Sequence, residues 1–216
     1  MDKSVLRSLI LLTFTMLMAC QGGNSNPPSS KAVPKENAKQ TETVRDITLY
    51  LYHDFPKHKA KMLADILEKV YPSVSIQKEP LALPKEHYNK ERNRYSGTGL
   101  LRDLSKLRKG NVVLGLTDEV IFKANEISPT YGIFGVSPVG AYVAVISSTL
   151  PSGKQHSNDH LAKLMMHELG HAFGLKHCSN QHCFMVDAEH GNKFSQTPSF
   201  CNECKAFLNS KGWKNK

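Results

Sequence analysis

An α+β fold, a mixed twisted sheet packed with helices, is what this 216-residue sequence predicts. Three observations carry the prediction. Short β-rich runs alternate with stretches of helical apolar spacing, in the order β-α-β-α-β-β-α. The last helical stretch contains His167-Glu168-Leu169-Gly170-His171. A cysteine-bearing tail follows it.

The elements can be taken in order. Asp46 to Tyr52 alternates and is rich in β-formers, so it reads as a strand. Asp54 and Pro56 open a helix whose apolar positions are Met62, Leu63, Ile66, Leu67 and Val70, and Tyr71-Pro72 stops it. Val74 to Gln77 is a short strand. Residues 80–95 are polar and ambiguous. Leu100, Leu101, Leu104 and Leu107 share one helical face, and Gly110 ends that helix. Val112 to Leu116 reads as a buried strand. Tyr131 to Gly140, with three glycines and a proline, reads as loop or irregular β. Ala141 to Ile146 is another strand. Ser157, Asn158 and Asp159 can cap the last helix, and Leu161, Leu164, Met165, Leu169 and Ala172 make its apolar side.

The first residues are targeting sequence rather than fold. Lys3 and Arg7 precede an apolar run, Leu9 to Ala19, of eleven residues. A membrane span needs roughly 20, whereas a signal peptide needs about half that. Leu17-Met18-Ala19-Cys20 resembles the lipobox of bacterial lipoproteins, with Met18 a mild departure. The resemblance implies cleavage before Cys20, lipid on Cys20, and export to a bacterial membrane. Gln21 in place of an aspartate leans towards the outer membrane. Residues 21–44 hold Gly, Ser, Asn, Pro and Lys with almost nothing to bury, and so form a flexible tether reaching roughly 25 Å. The expected organisation is thus signal peptide 1–19, lipidated Cys20 and tether 20–44, and one domain over 45–216.

The chain carries a formal net charge of +9, which loss of Asp2, Lys3 and Arg7 with the leader lowers by one. A basic surface can favour an anionic membrane or acidic substrates, but the plain reading is a solvated, lysine-rich surface. No basic run is interleaved with aromatics, so no nucleic-acid partner is expected. No internal repeat is present, and a monomer is expected.

The chemistry sits in H-E-x-x-H-x-x-G-x-x-H, residues 167–177. On a helix His167 and His171 lie one turn apart on one face, close enough to grip one ion. Gly174 stands where the helix should stop, because glycine takes the left-handed cap conformation without a Cβ clash. The chain can then bring His177 back as third ligand. Three imidazoles and one open position make a catalytic zinc arrangement. Glu168, beside the first ligand, can reach a water on that ion. Chance occurrence of the whole motif at this composition is on the order of 10⁻⁴, so the motif outweighs unrelated histidines on a polar helix.

Besides Cys20 there are four cysteines, Cys178, Cys183, Cys201 and Cys204, the last two as C-x-x-C. Two close pairs separated by a loop suit a tetrahedral zinc–thiolate site. Outside the cytosol they can instead oxidise, in three pairings.

The histidine motif followed by Cys178, then Cys183-Phe184-Met185, then C-x-x-C, resembles the archaemetzincin branch of the metzincin metallopeptidases. Upstream, Arg92 to Tyr95 with Leu100-Leu101, Leu114 to Asp118, and Phe134-Gly135 through Val145 to Ser147 extend the likeness over about 46–210. The resemblance implies a metzincin-like fold and a zinc peptidase acting on peptides or proteins, aminopeptidase activity included. By it, His167, His171 and His177 bind catalytic zinc and Glu168 is the base. Met185 makes the turn under the metal. The four cysteines bind a second, structural zinc, so two Zn²⁺ are implied per chain. By analogy with other metzincins the substrate lies along an edge strand, for which Gly140 to Ile146 is the candidate. The competing reading is a non-catalytic zinc-binding surface lipoprotein. Intact Glu168 speaks against it, since a purely structural site needs no base.

Overall fold

The computed structural model describes residues 46–214 apart from 54, 127 and 188–196. The expected leader, Cys20 and the tether lie outside the described residues, as does the helix-opening Asp54. The chain order is β1 (Ile47–Leu51), α1 (Lys57–Glu68), β2 (Val74–Ile76), β3 (Tyr88–Asn89), β4 (Arg94–Ser96) and α2 (Gly97–Lys106). Then come β5 (Val112–Thr117), β6 (Ile121–Lys123), β7 (Tyr131–Ile133), β8 (Gly135–Val136), β9 (Val143–Ser147), α3 (Asn158–Phe173) and α4 (Asn202–Asn209).

The main sheet runs β2-β1-β5-β9-β8. It is parallel except for β8, which pairs antiparallel with β9. Period-two alternation sorts its side chains onto two faces. Ile47, Leu49 and Leu51, Val112, Leu114 and Leu116, and Ala144 and Ile146 pack with α1 and α3. Val113, Val143 and Val145 face the other way and pack with Leu100, Leu101 and Leu104 of α2. The sheet is therefore covered on both sides, as a parallel sheet must be. Gly115 lets α2 come close: a Cβ there would stand 2.4 Å from Leu104 Cδ1.

A second, four-stranded sheet, β3-β4-β6-β7, is built from strands of two or three residues. It occupies the ambiguous 80–95 stretch and the 121–133 stretch, where the pieces are too short to show a period. The helix expected from Leu100 begins three residues earlier, because Ser96 caps it by accepting from the Gly99 N–H at 3.1 Å. The strand expected from Ala141 begins instead at Val143. Tyr142 is held at φ 56°, a left-handed conformation that no strand residue adopts. β9 is also an interior strand, flanked by β5 and β8, so Gly140 to Ile146 offers no free edge. Among the described residues, that edge of the sheet is β8.

Candidate metal centre

Helix α3 presents the histidines. Ser157 caps its start, accepting from the His160 N–H at 3.2 Å. Its predicted apolar side, Leu161, Leu164, Met165, Leu169 and Ala172, is buried in the core beside α1. It ends at Gly174, φ 116°. The Leu175 N–H reaches the Gly170 carbonyl and the Gly174 N–H reaches the His171 carbonyl, each at 2.9 Å, which is the two-bond cap that a left-handed glycine permits. The reversal carries His177 back towards the helix. Its ring centre lies 4.8 Å from that of His171 and 5.5 Å from that of His167.

The tautomers of the two helical histidines follow from their partners. His167 Nδ1 lies 2.6 Å from the Phe184 carbonyl and His171 Nδ1 lies 2.8 Å from the Leu175 carbonyl. A carbonyl only accepts, so both Nδ1 atoms carry hydrogen. Burial pushes the pKa of His167 down to about 4, and that of His171 down as well. Both rings are therefore neutral at pH 7, and their Nε2 atoms bear lone pairs. These atoms stand 3.1 Å apart with no proton to share. Two ligands at about 2.05 Å on a tetrahedral ion would lie about 3.3 Å apart. One nitrogen from each of the three histidines falls within 4.8 Å of the others. The donor set fits zinc.

Glu168 is buried, and among the described residues no cation is paired with it. Burial raises its pKa to about 8, opposed by the more distant charge of Lys123. Gly135, on edge strand β8, leaves room for it: a Cβ there would come within 2.8 Å of Glu168 Oε1. Met185 is wholly buried under α3. Its Sδ sits where a Cβ on Gly170 would be 2.4 Å away.

The four tail cysteines also converge. All are free thiols, with every sulfur within 4.8 Å of the others, and Cys178 and Cys201 are 3.8 Å apart. Four sulfurs at about 2.3 Å from a tetrahedral zinc would be spaced about 3.8 Å. Cys183 Sγ accepts from the Met185 and Cys201 N–H groups at 3.4 and 3.3 Å. Cys201 stands at the position just before α4, and Cys204 follows within its first turn. The geometry is that of a cation site rather than of disulfides.

The model of peptidase family M54 matches residues 72–210. An archaemetzincin of Archaeoglobus fulgidus is 29% identical over 150 residues, covering 68% of this chain and 89% of that protein. The archaemetzincin of Methanopyrus kandleri is 29% identical over 159 residues, covering 68% and 88%. The crystal structure of the Archaeoglobus protein superposes with a TM-score of 0.63 at 27% identity, covering 75% of this chain and 99% of that one. The chain belongs to peptidase family M54. It is a zinc metallopeptidase, with the metzincin-like α+β fold expected, and the reading as a zinc protein without activity is not favoured.

Within this M54 member the structure brings together His167, His171 and His177, and separately Cys178, Cys183, Cys201 and Cys204. Several surrounding residues escape sequence reasoning. The Phe184 and Leu175 carbonyls are backbone atoms, which no residue type advertises. Asp187 Oδ2, 3.3 Å from His177 Nδ1, lies two residues past Met185 and had only that proximity as a signal. Gly135 and Gly170 matter for the space they leave, which shows only once their neighbours are in place.

Proposed function

We propose that His167, His171 and His177 hold the catalytic zinc of this peptidase and that Glu168 is its general base. The observation that carries the proposal is the pair of unprotonated Nε2 atoms 3.1 Å apart beside a third imidazole. Only a cation makes that approach favourable. Zinc bound there would supply a Lewis acid that acidifies water and polarises a peptide carbonyl. The chain does the rest. The Phe184 and Leu175 carbonyls fix the two helical rings, and the Asp187 carboxylate orients His177. Glu168 accepts the proton of the attacking water and delivers it to the leaving amine. Its dry setting against Gly135 holds the proton between those two events, while a cation held by the neutral histidines would favour the ionised form at the outset.

The four cysteines hold a second, structural zinc, making two per chain. That ion would anchor Cys183, and with it the adjoining Phe184 carbonyl that orients His167. Cleavage before Cys20 and lipid on Cys20 would tether the peptidase to the outer membrane of a bacterium. All ligands come from one chain, so a monomer suffices.

Glu168→Ala should keep two zinc ions by elemental analysis and lose about 10²- to 10⁴-fold in hydrolysis of a peptide library. Unchanged turnover would refute the assigned base. Cys20→Ser should abolish incorporation of labelled fatty acid and release the protein from membranes. Persistent membrane association would rule out the anchor.

A further inference from the structure

A cavity of about 560 Å³ opens against β7 and Phe134, the residue that joins β7 to Gly135 at the start of β8. Arg92 and Arg94 stand in its wall, and Tyr131, Phe134, Leu150 and Pro151 supply apolar surface. Among the described residues no acidic side chain lines it. Arg94 is already aimed: Nη1 donates to the Thr130 carbonyl at 3.1 Å and Nη2 to the Pro151 carbonyl at 3.3 Å. Those partners are neutral, so its charge is left uncompensated. Gly132 clears the space for this guanidinium, since a Cβ there would lie 2.9 Å from Arg94 Nη1. Among the described residues neither arginine takes part in an ion pair. Tyr131, 45% exposed, leaves its ring open to a ligand.

The position is as telling as the charge. Phe134, in the cavity wall, immediately precedes Gly135, against which Glu168 packs. From Tyr131 to Gly135 an extended chain covers roughly 13 Å. A peptide running alongside the 131–135 segment, its scissile bond beside Glu168, passes the arginines within roughly four residues of the cut. The anion that a peptide carries is a carboxylate, and guanidinium groups pair with carboxylates through two parallel hydrogen bonds.

We infer that the cavity between β7 and the Leu150–Pro151 turn is a substrate subsite for a peptide carboxylate, with Arg92 and Arg94 as its specificity-determining residues. The inference rests on the peptidase reading above and deepens it by naming a substrate class: peptides bearing a carboxylate close to the cleaved bond. An acidic side chain and a free C-terminus present the same chemistry.

The test uses the full zinc-loaded chain and internally quenched peptides in two arms. One arm exchanges Glu for Gln at each position. The other compares a free C-terminal acid with its amide. The carboxylate form should be preferred about tenfold in kcat/KM, mainly through KM, in at least one arm, and the arm that responds identifies the source. Arg92→Glu, at an exposed position, should erase the preference, so that the carboxylate and neutral peptides of each pair have kcat/KM values within about twofold of each other. Arg94→Lys is the second variant, because losing the Arg94 bonds to Thr130 and Pro151 can disturb the fold. A binding readout separates this inference from the peptidase reading. In the Glu168→Ala background, fluorescence anisotropy should show the labelled carboxylate peptide binding about tenfold more tightly than its neutral counterpart, and Arg92→Glu should remove the difference. Equal binding of the two peptides, or a preference that survives Arg92→Glu, overturns the subsite. Selective binding with no cleavage by the Glu168 chain would instead count against the assigned hydrolysis.

Discussion

Two histidine pairs with the same spacing lie at opposite ends of helix α3. His167 and His171 have ring centres 4.6 Å apart, inclined at 89°. His156 and His160 have centres 4.3 Å apart, inclined at 84°. The two pairs have similar ring spacing and inclination, yet their chemistry is opposite. At the C-terminal end each Nδ1 is committed to a backbone carbonyl, so two lone pairs point at one spot and a third imidazole joins them. At the N-terminal end the two Nδ1 atoms face each other at 3.0 Å, and one donates to the other. The ring of Phe134 closes over both, and among the described residues no third ligand arrives. Spacing of four residues therefore does not make a ligand pair. The carbonyls that fix the tautomers do, together with the turn that returns a third donor.

The largest effect that sharpens this comparison is loss of metal. His171→Ala should reduce bound zinc by one ion per chain and bring hydrolysis to background, by elemental analysis and peptide assay. His156→Gln should keep the full zinc content. Equal zinc loss in both variants would erase the distinction.

The smaller effect is on pH-dependent stability. Burial, with His160 and Lys59 nearby, pushes His156 down to about 4 from its ordinary value of 6.5. The unfolded chain thus takes up this proton before the folded one does. The stability associated with neutral His156 is complete above pH 6.5, begins to fall below it, and is gone near pH 4. Between about pH 7 and about pH 5, urea unfolding of the zinc-loaded chain should show wild type losing about 1 kcal/mol more than His156→Gln, after discounting for solvent screening. Parallel curves for the two proteins would mean that this pair shares its proton with solvent rather than burying it.

The same contrast shows what was legible in the sequence. H-E-x-x-H-x-x-G-x-x-H named His177 and Gly174 through a rule of helix termination, and Gly174 does adopt the left-handed cap. The C-x-x-C spacing places Cys201 and Cys204 together because it opens α4. The long elements were legible because their apolar periods are sustained, as in α1 and α3. The second sheet was not, because strands such as Tyr88–Asn89 are shorter than one full alternation. The edge strand was misplaced for a related reason. Ala141 to Ile146 has the stronger β pattern, and that pattern reflects burial between two neighbours, whereas the exposed edge belongs to the two residues Gly135–Val136. The arginine cavity joins Arg92 and Arg94 with Tyr131, Phe134 and Leu150, and the pairing of β6 with both β4 and β7 brings the first two groups together.

The most direct trial of the central claim is to locate the metal. Diffraction data from crystals of the purified domain, collected on either side of the zinc absorption edge, should give one anomalous peak equidistant from nitrogens of His167, His171 and His177 and a second among the four sulfurs. A single peak at the cysteines, with the three imidazoles empty in zinc-supplemented crystals, would contradict zinc catalysis by the histidine cluster.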